Sequence, residues 1–313
     1  MKRFQKILAV FDSEKRDWTA IQLALGLAQE SGGQLAVVHV IPPLPQDIPY
    51  DLTGMDDLKE ALFRAAEADL EEVGRKLPDA GIEIGRRVLW GHTAMELSRM
   101  VLTEGHDLVM KGSGSRKHIP GQFLGSVDMR LLRKCPCPVW LVKPGAHKDV
   151  KRVLATIDPM GEDDSHAELN QSIIGLGLEL AAMEGADLHV LHAWAPWGRS
   201  LLRSRIRSEE FSEYSRQVRA RTAKAMREML KPFDDLIPVV NRHLLEGDPE
   251  HVVPEFVREH DVDVVVMGSV GRTGVPGFLI GNTAETILRQ VESSVLAVKP
   301  GGFVSPVELD RDS

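Results

Sequence analysis

Short unbroken apolar runs alternate along this chain with segments whose apolar positions recur every three or four residues. ILAVF (7–11) and LAVVHVI (35–41) are continuous runs of the kind shown by parallel strands buried on both faces. Between them DWTAIQLALGLAQESGG has helical spacing and stops at Gly32-Gly33, a helix terminator. A Pro-rich loop, PPLPQDIP, leads into a long amphipathic segment whose stripe is Leu58, Leu62, Ala66, Leu70, Val73 and Leu77. RRVLW, HDLVMK and PVWLVK supply three further strands, with the helix SVDMRLLRK between the last two. Thr93 and Glu96 have the spacing of a capping box at the start of the helix after RRVLW. Strand–helix alternation with right-handed crossovers predicts an α/β domain with an open, doubly wound, five-stranded parallel sheet. Ligands of such sheets bind beyond the carboxyl ends of the strands, where the strand order reverses.

The pattern then repeats. KILAVFD matches RVLATID, placing Asp12 on Asp158, 146 residues on. His39 falls on His192 at an offset of 153, and Gly91 on Gly247 at 156. The offset stays at 156 for Gly112 on Gly268, Gly125 on Gly281 and Lys143-Pro144-Gly145 on Lys299-Pro300-Gly301. Two homologous domains therefore follow one another, 1–147 and 148–302, the second with small early insertions, and residues 303–313 form a polar tail.

Composition narrows the chemistry. A formal charge of -8 argues against a general nucleic-acid binder, whose affinity for phosphate backbones rests on positive charge. No stretch approaches the roughly 18 apolar residues of a membrane span, and the apolar run before Asp12 is too short for a signal peptide, so a cytoplasmic protein is expected. Cys135 and Cys137 make half a zinc site at most and read as a Pro-stiffened lead-in to a strand at Val139–Val142. His39 and His192, at equivalent strand ends, read as satisfied structural residues. His118 with His106 and Asp107 is a cluster that only folding could bring together.

The glycines carry the candidate chemistry. GSVGRTGVPGFLIGNT (268–283) comes directly off the strand DVDVVVM and opens the helix AETILRQV. Gly268 and Gly271 lack a Cβ, which would let amides approach an anion and permits positive φ; the first turn after Gly281-Asn282-Thr283 favours negative charge, and Arg272 adds a cation. There is no Gly-Lys-Ser/Thr ending and no G-x-G-x-x-G after the first strand, so neither a P-loop nor a dinucleotide fingerprint is present.

The motif G-x-x-G-x9-G-[S/T/N], late in a domain of about 145 residues that begins ILxxxD, resembles the ATP-binding members of the universal stress protein family, and the tandem resembles their two-domain bacterial type. The resemblance implies a Rossmann-like fold and an ATP site, with or without Mg²⁺, in the second half. Thr156, Ile157 and Asp158 would lie beside adenine and ribose, Ala193 would meet the adenine edge through its backbone, and Met267 and Gly268 would lie against the ribose. Gly271, Gly281, Asn282 and Thr283 would hold the phosphates, with Arg272 near them. In the first half Asp12, Val40, Gly112, Gly125 and Ser126 are in place, but Ser115 replaces the second glycine and Asp128 would repel phosphate from the following helix. Arg116, Lys117 and His118 make that loop more cationic, yet nucleotide is expected in the second half rather than the first. Intramolecular pairing through the edge strands PVWLVK and SVLAVK is implied as well, and a homodimer of tandems is compatible with it.

The basic segment 198–231 reads as a surface helix equivalent to 56–77, with Phe211, Tyr214, Val218, Ala225 and Met229 buried, rather than as an anion- or membrane-binding surface. Trp194 and Trp197 fit either a pocket cover or core packing. No nucleophile, base and orienter can be assembled. A nucleotide-dependent regulator or sensor is the resulting functional expectation, with a slow ATPase using Asp158 and a nucleotide-free scaffold or small-ligand carrier as its rivals.

Overall fold

A computed structural model describes residues 4–13, 18–44, 55–79, 81–114, 124–145, 150–161, 164–202, 205–269 and 280–309. Contacts divide the chain into two units, Met1–Lys148 with Phe303–Ser313, and Asp149–Gly274 with Ile280–Gly302.

The first unit runs β1 (Lys6–Phe11), α1 (Thr19–Ser31), β2 (Gln34–Ile41), α2 (Met55–Lys76), β3 (Ile84–Trp90), α3 (Thr93–Glu104), β4 (Leu108–Gly112), α4 (Ser126–Lys134) and β5 (Val139–Val142). Its strands neighbour one another in the order β3-β2-β1-β4-β5, all parallel. The second unit runs β6 (Arg152–Thr156), α5 (Asp164–Glu184), β7 (Asp187–Trp194), α6 (Arg199–Leu202), α7 (Ser208–Leu230), β8 (Arg242–Glu246), α8 (Pro249–Glu259), β9 (Val264–Gly268), α9 (Asn282–Gln290) and β10 (Ser294–Val298). Its order is β8-β7-β6-β9-β10, again parallel. Pairing register repeats the offsets of the sequence. Ile7 sits between Leu35 and Leu108, and its counterpart Val153 sits between Leu188 and Val264.

The continuous apolar runs are buried because helices cover both faces of each sheet. Ile7, Leu8 and Ala9 of β1, and Val153, Leu154 and Ala155 of β6, have no exposed surface. Each large side chain among them contributes roughly 1.5–3 kcal/mol of burial. α1 stops where the sequence predicts: Gly32 turns left-handed at φ 65°, and the Gly33 N–H donates to Ala28 O over 2.9 Å. Gly91 and Gly247, at the same place in the repeat, both adopt φ 148° and donate their N–H groups to Ile41 O and Trp194 O. These turns bring the chain off the carboxyl ends of β3 and β8 into the following helices.

Three local expectations are corrected. The capping box does not form: the N-cap of α3 is His92, Thr93 is already helical, and Glu96 pairs with Arg99 at 3.0 Å. In α7 the buried stripe is Thr222, Met226 and Leu230, while Phe211, Tyr214, Val218, Ala225 and Met229 are only half-buried. A four-residue step selects one face, and the sequence stripe lay on its flank. Residues 303–309 are a strap rather than a free polar tail: Ser305 Oγ donates to Lys134 O at 2.6 Å, and Val307 is buried in the first unit. Among the described residues no helix is long and apolar enough to cross a membrane.

Candidate functional site

In the second unit the chain passes from β6 to β7 on one side and to β9 and β10 on the other, so the order reverses between β6 and β9. Their carboxyl ends carry Thr156 and Gly268, and β7 contributes Ala193 nearby. Thr156 and Ala193 are partly exposed, whereas Ile157 and Met267 are buried. The peptide after β6 is held rigidly. Asn170 of α5 accepts from Asp158 N through Oδ1 and donates from Nδ2 to Asp158 O, both at 2.9 Å. His192 Nδ1 lies 2.9 Å from Ile157 O, and because a carbonyl only accepts, the proton sits on Nδ1. One carboxylate oxygen of Asp158, Oδ1, takes the Met160 N–H at 3.3 Å. The clamp fixes Asp158 by its backbone and leaves its side chain at the strand end.

Beyond β9, Ser269 is held down by Val298: its N–H donates to Val298 O at 3.1 Å and its hydroxyl at 3.4 Å. Gly281 is the N-cap of α9, and its own N–H donates to Ser269 O at 3.1 Å. The first intrahelical bond runs from Glu285 N to Gly281 O, so the amides of Asn282, Thr283 and Ala284 precede the ladder. Asn282 and Thr283 are exposed there, and Ala284 is buried beneath them. Gly268 keeps strand geometry without positive φ, and a Cβ on it would lie 3.0 Å from Leu169 Cδ2 of α5. Gly271 and Arg272, like Ser115, Arg116, Lys117 and His118 of the first unit, lie outside the described residues.

The equivalent corner of the first unit is a cavity of about 570 Å³, lined among others by Asp12, His39, Lys111, Gly114, Gly125 and Ser126. Its chemistry differs at one point. Lys111 Nζ and Asp128 Oδ1 form an ion pair at 2.8 Å with side chains 7% and 0% exposed. Asp128 Oδ2 accepts the N–H of Gly125 at 2.8 Å and of Gly114 at 3.3 Å, and Lys111 Nζ also donates to Gly112 O at 2.8 Å. The carboxylate thus sits within the connection itself, fully paired. Met267 and Ala284 hold the corresponding positions of the second unit.

His192 is satisfied as expected, but His39 is not: Nδ1 is buried with no hydrogen-bond partner among the described residues, and the ring lies 5.8 Å from Phe11. Burial lowers the His39 pKa from its ordinary value. Trp194 is buried, while Trp197 is exposed. His106 is buried and its neighbour Asp107 accepts from Gln5 N and Lys6 N, a clip to the start of β1 that Asp263 repeats on Lys151 N and Arg152 N. Cys135 and Cys137 are buried free thiols before β5, with sulfurs 3.5 Å apart. Among the described residues no three His, Cys, Asp or Glu side chains come together to hold a metal ion.

The sequence model of the universal stress protein family matches residues 3–143 and 150–299, one copy for each five-stranded unit. The chain belongs to the universal stress protein family. Among relatives, it is 29% identical to universal stress protein E of Photorhabdus laumondii, with all of both chains covered. It is 28% identical to universal stress protein E of Escherichia coli K12, covering 100% of this chain and 99% of that one. A functionally unknown protein from Pseudomonas aeruginosa shares the fold, with a TM-score of 0.72 at 24% identity over 96% of this chain and 94% of that chain. In this universal stress protein the strand-end residues Thr156, Ile157, Asp158, Ala193, Met267 and Gly268 and the helix start at Gly281, Asn282 and Thr283 all belong to the second unit. Sequence reasoning missed Asn170, Ser269 and the Lys111–Asp128 pair. A lysine ending an apolar strand, HDLVMK, with an acid in the next helix was the signal available for the pair.

Proposed function

We propose that this universal stress protein binds ATP in its second domain, with or without Mg²⁺, and acts as a nucleotide-dependent regulator rather than as a dedicated enzyme. The observation that carries the reading is the start of α9. Asn282 and Thr283 are exposed in a first turn whose amides precede the helical ladder, the position of Asp128 is taken by the alanine beneath them, and the acid of that turn, Glu285, is paired with Arg289 at 2.8 Å. Oriented amides and the helix dipole favour a phosphate at such a terminus. Thr156, Asp158 and Ala193 would then face the nucleoside, with the Asp158 backbone held by Asn170. The Asp158 side chain would lie beside the ribose. Mg²⁺ would take most of its ligands from phosphate oxygens and water, as that ion commonly does.

The test is thermal unfolding of the full chain, stripped of nucleotide, with and without Mg-ATP. At about 100 times its dissociation constant, ATP should stabilise the folded domain by roughly 2.7 kcal/mol. Thr283→Glu should abolish the rise by placing a carboxylate at the helix start, without lowering the ligand-free midpoint, because an acid there suits the helix dipole. No rise in the unaltered protein, or an undiminished rise in Thr283→Glu, would overturn the proposal.

A further inference from the structure

We infer that Lys111 and Asp128 decide which domain takes nucleotide: the first domain carries its own anion in the phosphate-binding connection, and this internal carboxylate excludes a ligand phosphate. The inference rests on reading the strand-to-helix connection as a phosphate cradle, as proposed for the second domain.

Apart from Ser115 in place of the second glycine of the motif, the first domain is equipped. Its cavity of about 570 Å³ opens at the ends of β1, β2 and β4, with Asp12 and Val40 in its lining, and Gly125 leads into the nine-residue α4. The groups that would meet phosphate are already occupied. Gly114 at the end of β4 and Gly125 before α4 both direct their N–H groups to Asp128 Oδ2, and Lys111 Nζ meets Asp128 Oδ1. Asp128 also stands in the first turn of α4, where a negative charge already complements the helix dipole. A ligand phosphate would have to displace a fully buried carboxylate from two amides and a lysine, leaving that carboxylate charged, dry and unpaired, or bind beside it against like-charge repulsion. Neither arrangement favours binding.

The second domain shows what the pair replaces. Met267 and Ala284 occupy the two positions, both buried, so cation and anion are absent together. Gly281 N–H turns to the neutral Ser269 O instead of to a carboxylate. A neutral carbonyl does not repel an incoming phosphate.

The experiment is calorimetric titration of the full chain with Mg-ATP, comparing the unaltered protein with Lys111→Met/Asp128→Ala, which installs the second domain's own residues. The expected result is one more ATP bound per chain in the double variant. Lys111→Met/Asp128→Asn provides a second route should the alanine variant fold poorly, since the amide keeps an oxygen for Gly125 N–H and both charges are removed; it too should gain a site, of lower affinity. The readout is a difference, so it separates this inference from the second-domain reading. A change from none to one would sink the latter and support the pair's role. A folded variant that binds the same number as the unaltered chain, or an unaltered chain that already binds two, would overturn the inference.

Discussion

Lys111 and Asp128 are two buried charges, and their stability consequences follow from being paired. Removing one partner leaves the other buried without compensation, which typically costs about 3–5 kcal/mol, whereas replacing both by apolar residues is often neutral. Lys111→Met alone should therefore lower the urea midpoint strongly, and adding Asp128→Ala should recover most of the loss. Equal losses in the single and double variants would contradict the pairing. The histidines make a second prediction at this scale. His189 Nδ1 and His243 Nε2 lie 3.0 Å apart with their ring planes nearly parallel, so one donates to the other. Burial, then the neighbouring His189 and His260, lowers the His243 pKa to about 4, and burial also lowers that of His189 despite Asp187 beside it. A folded pKa below the unfolded value means that unfolding takes up protons. Stability contributed by the neutral pair is complete above about pH 6.5, the ordinary histidine value, and is lost as pH falls towards 4. His243→Leu should flatten the acid side of the stability profile between pH 6.5 and 4; an unchanged slope would reject the assignment.

Elements were legible where a single physical requirement dominates. The inner strands announced themselves as apolar runs because parallel strands covered on both faces admit little else, whereas the half-exposed edge strands β3 and β8 were legible only from their place in the alternation and the repeat. The left-handed stops were legible too, since Gly32 does what only glycine does cheaply. Gly247 extends the argument: at φ 148°, with a Cβ that would come within 2.6 Å of Val252 Cγ2, Gly247→Ala should destabilise the second domain by roughly 1–3 kcal/mol, read by thermal unfolding. What stayed hidden were choices between near-equivalent local arrangements. His92, Thr93 and Glu96 can start a helix in more than one way, and the sequence pattern does not say which peptide turns first. The stripe of α7 depends on which face the sheet receives, a tertiary matter. The packing of Gly268 against Leu169 is likewise invisible along the chain.

For the whole molecule, duplication has produced two domains with the same strand order and different corners at the strand ends. The repeat, its changing offset and the weaker motif of the first half were all readable, because insertions and missing glycines are explicit in the letters. The reason for the asymmetry was readable only in part: Asp128 was visible as an unwelcome charge, but its partner Lys111 and the two amides it holds required the fold. The central claim is that nucleotide belongs to the second domain alone. Counting ATP bound per full-length chain by isothermal titration calorimetry, in the unaltered protein and in Thr283→Glu, tests it most directly. The account predicts one ATP per chain in the unaltered protein and none in the variant; no binding, two sites, or a single site that survives Thr283→Glu would contradict it.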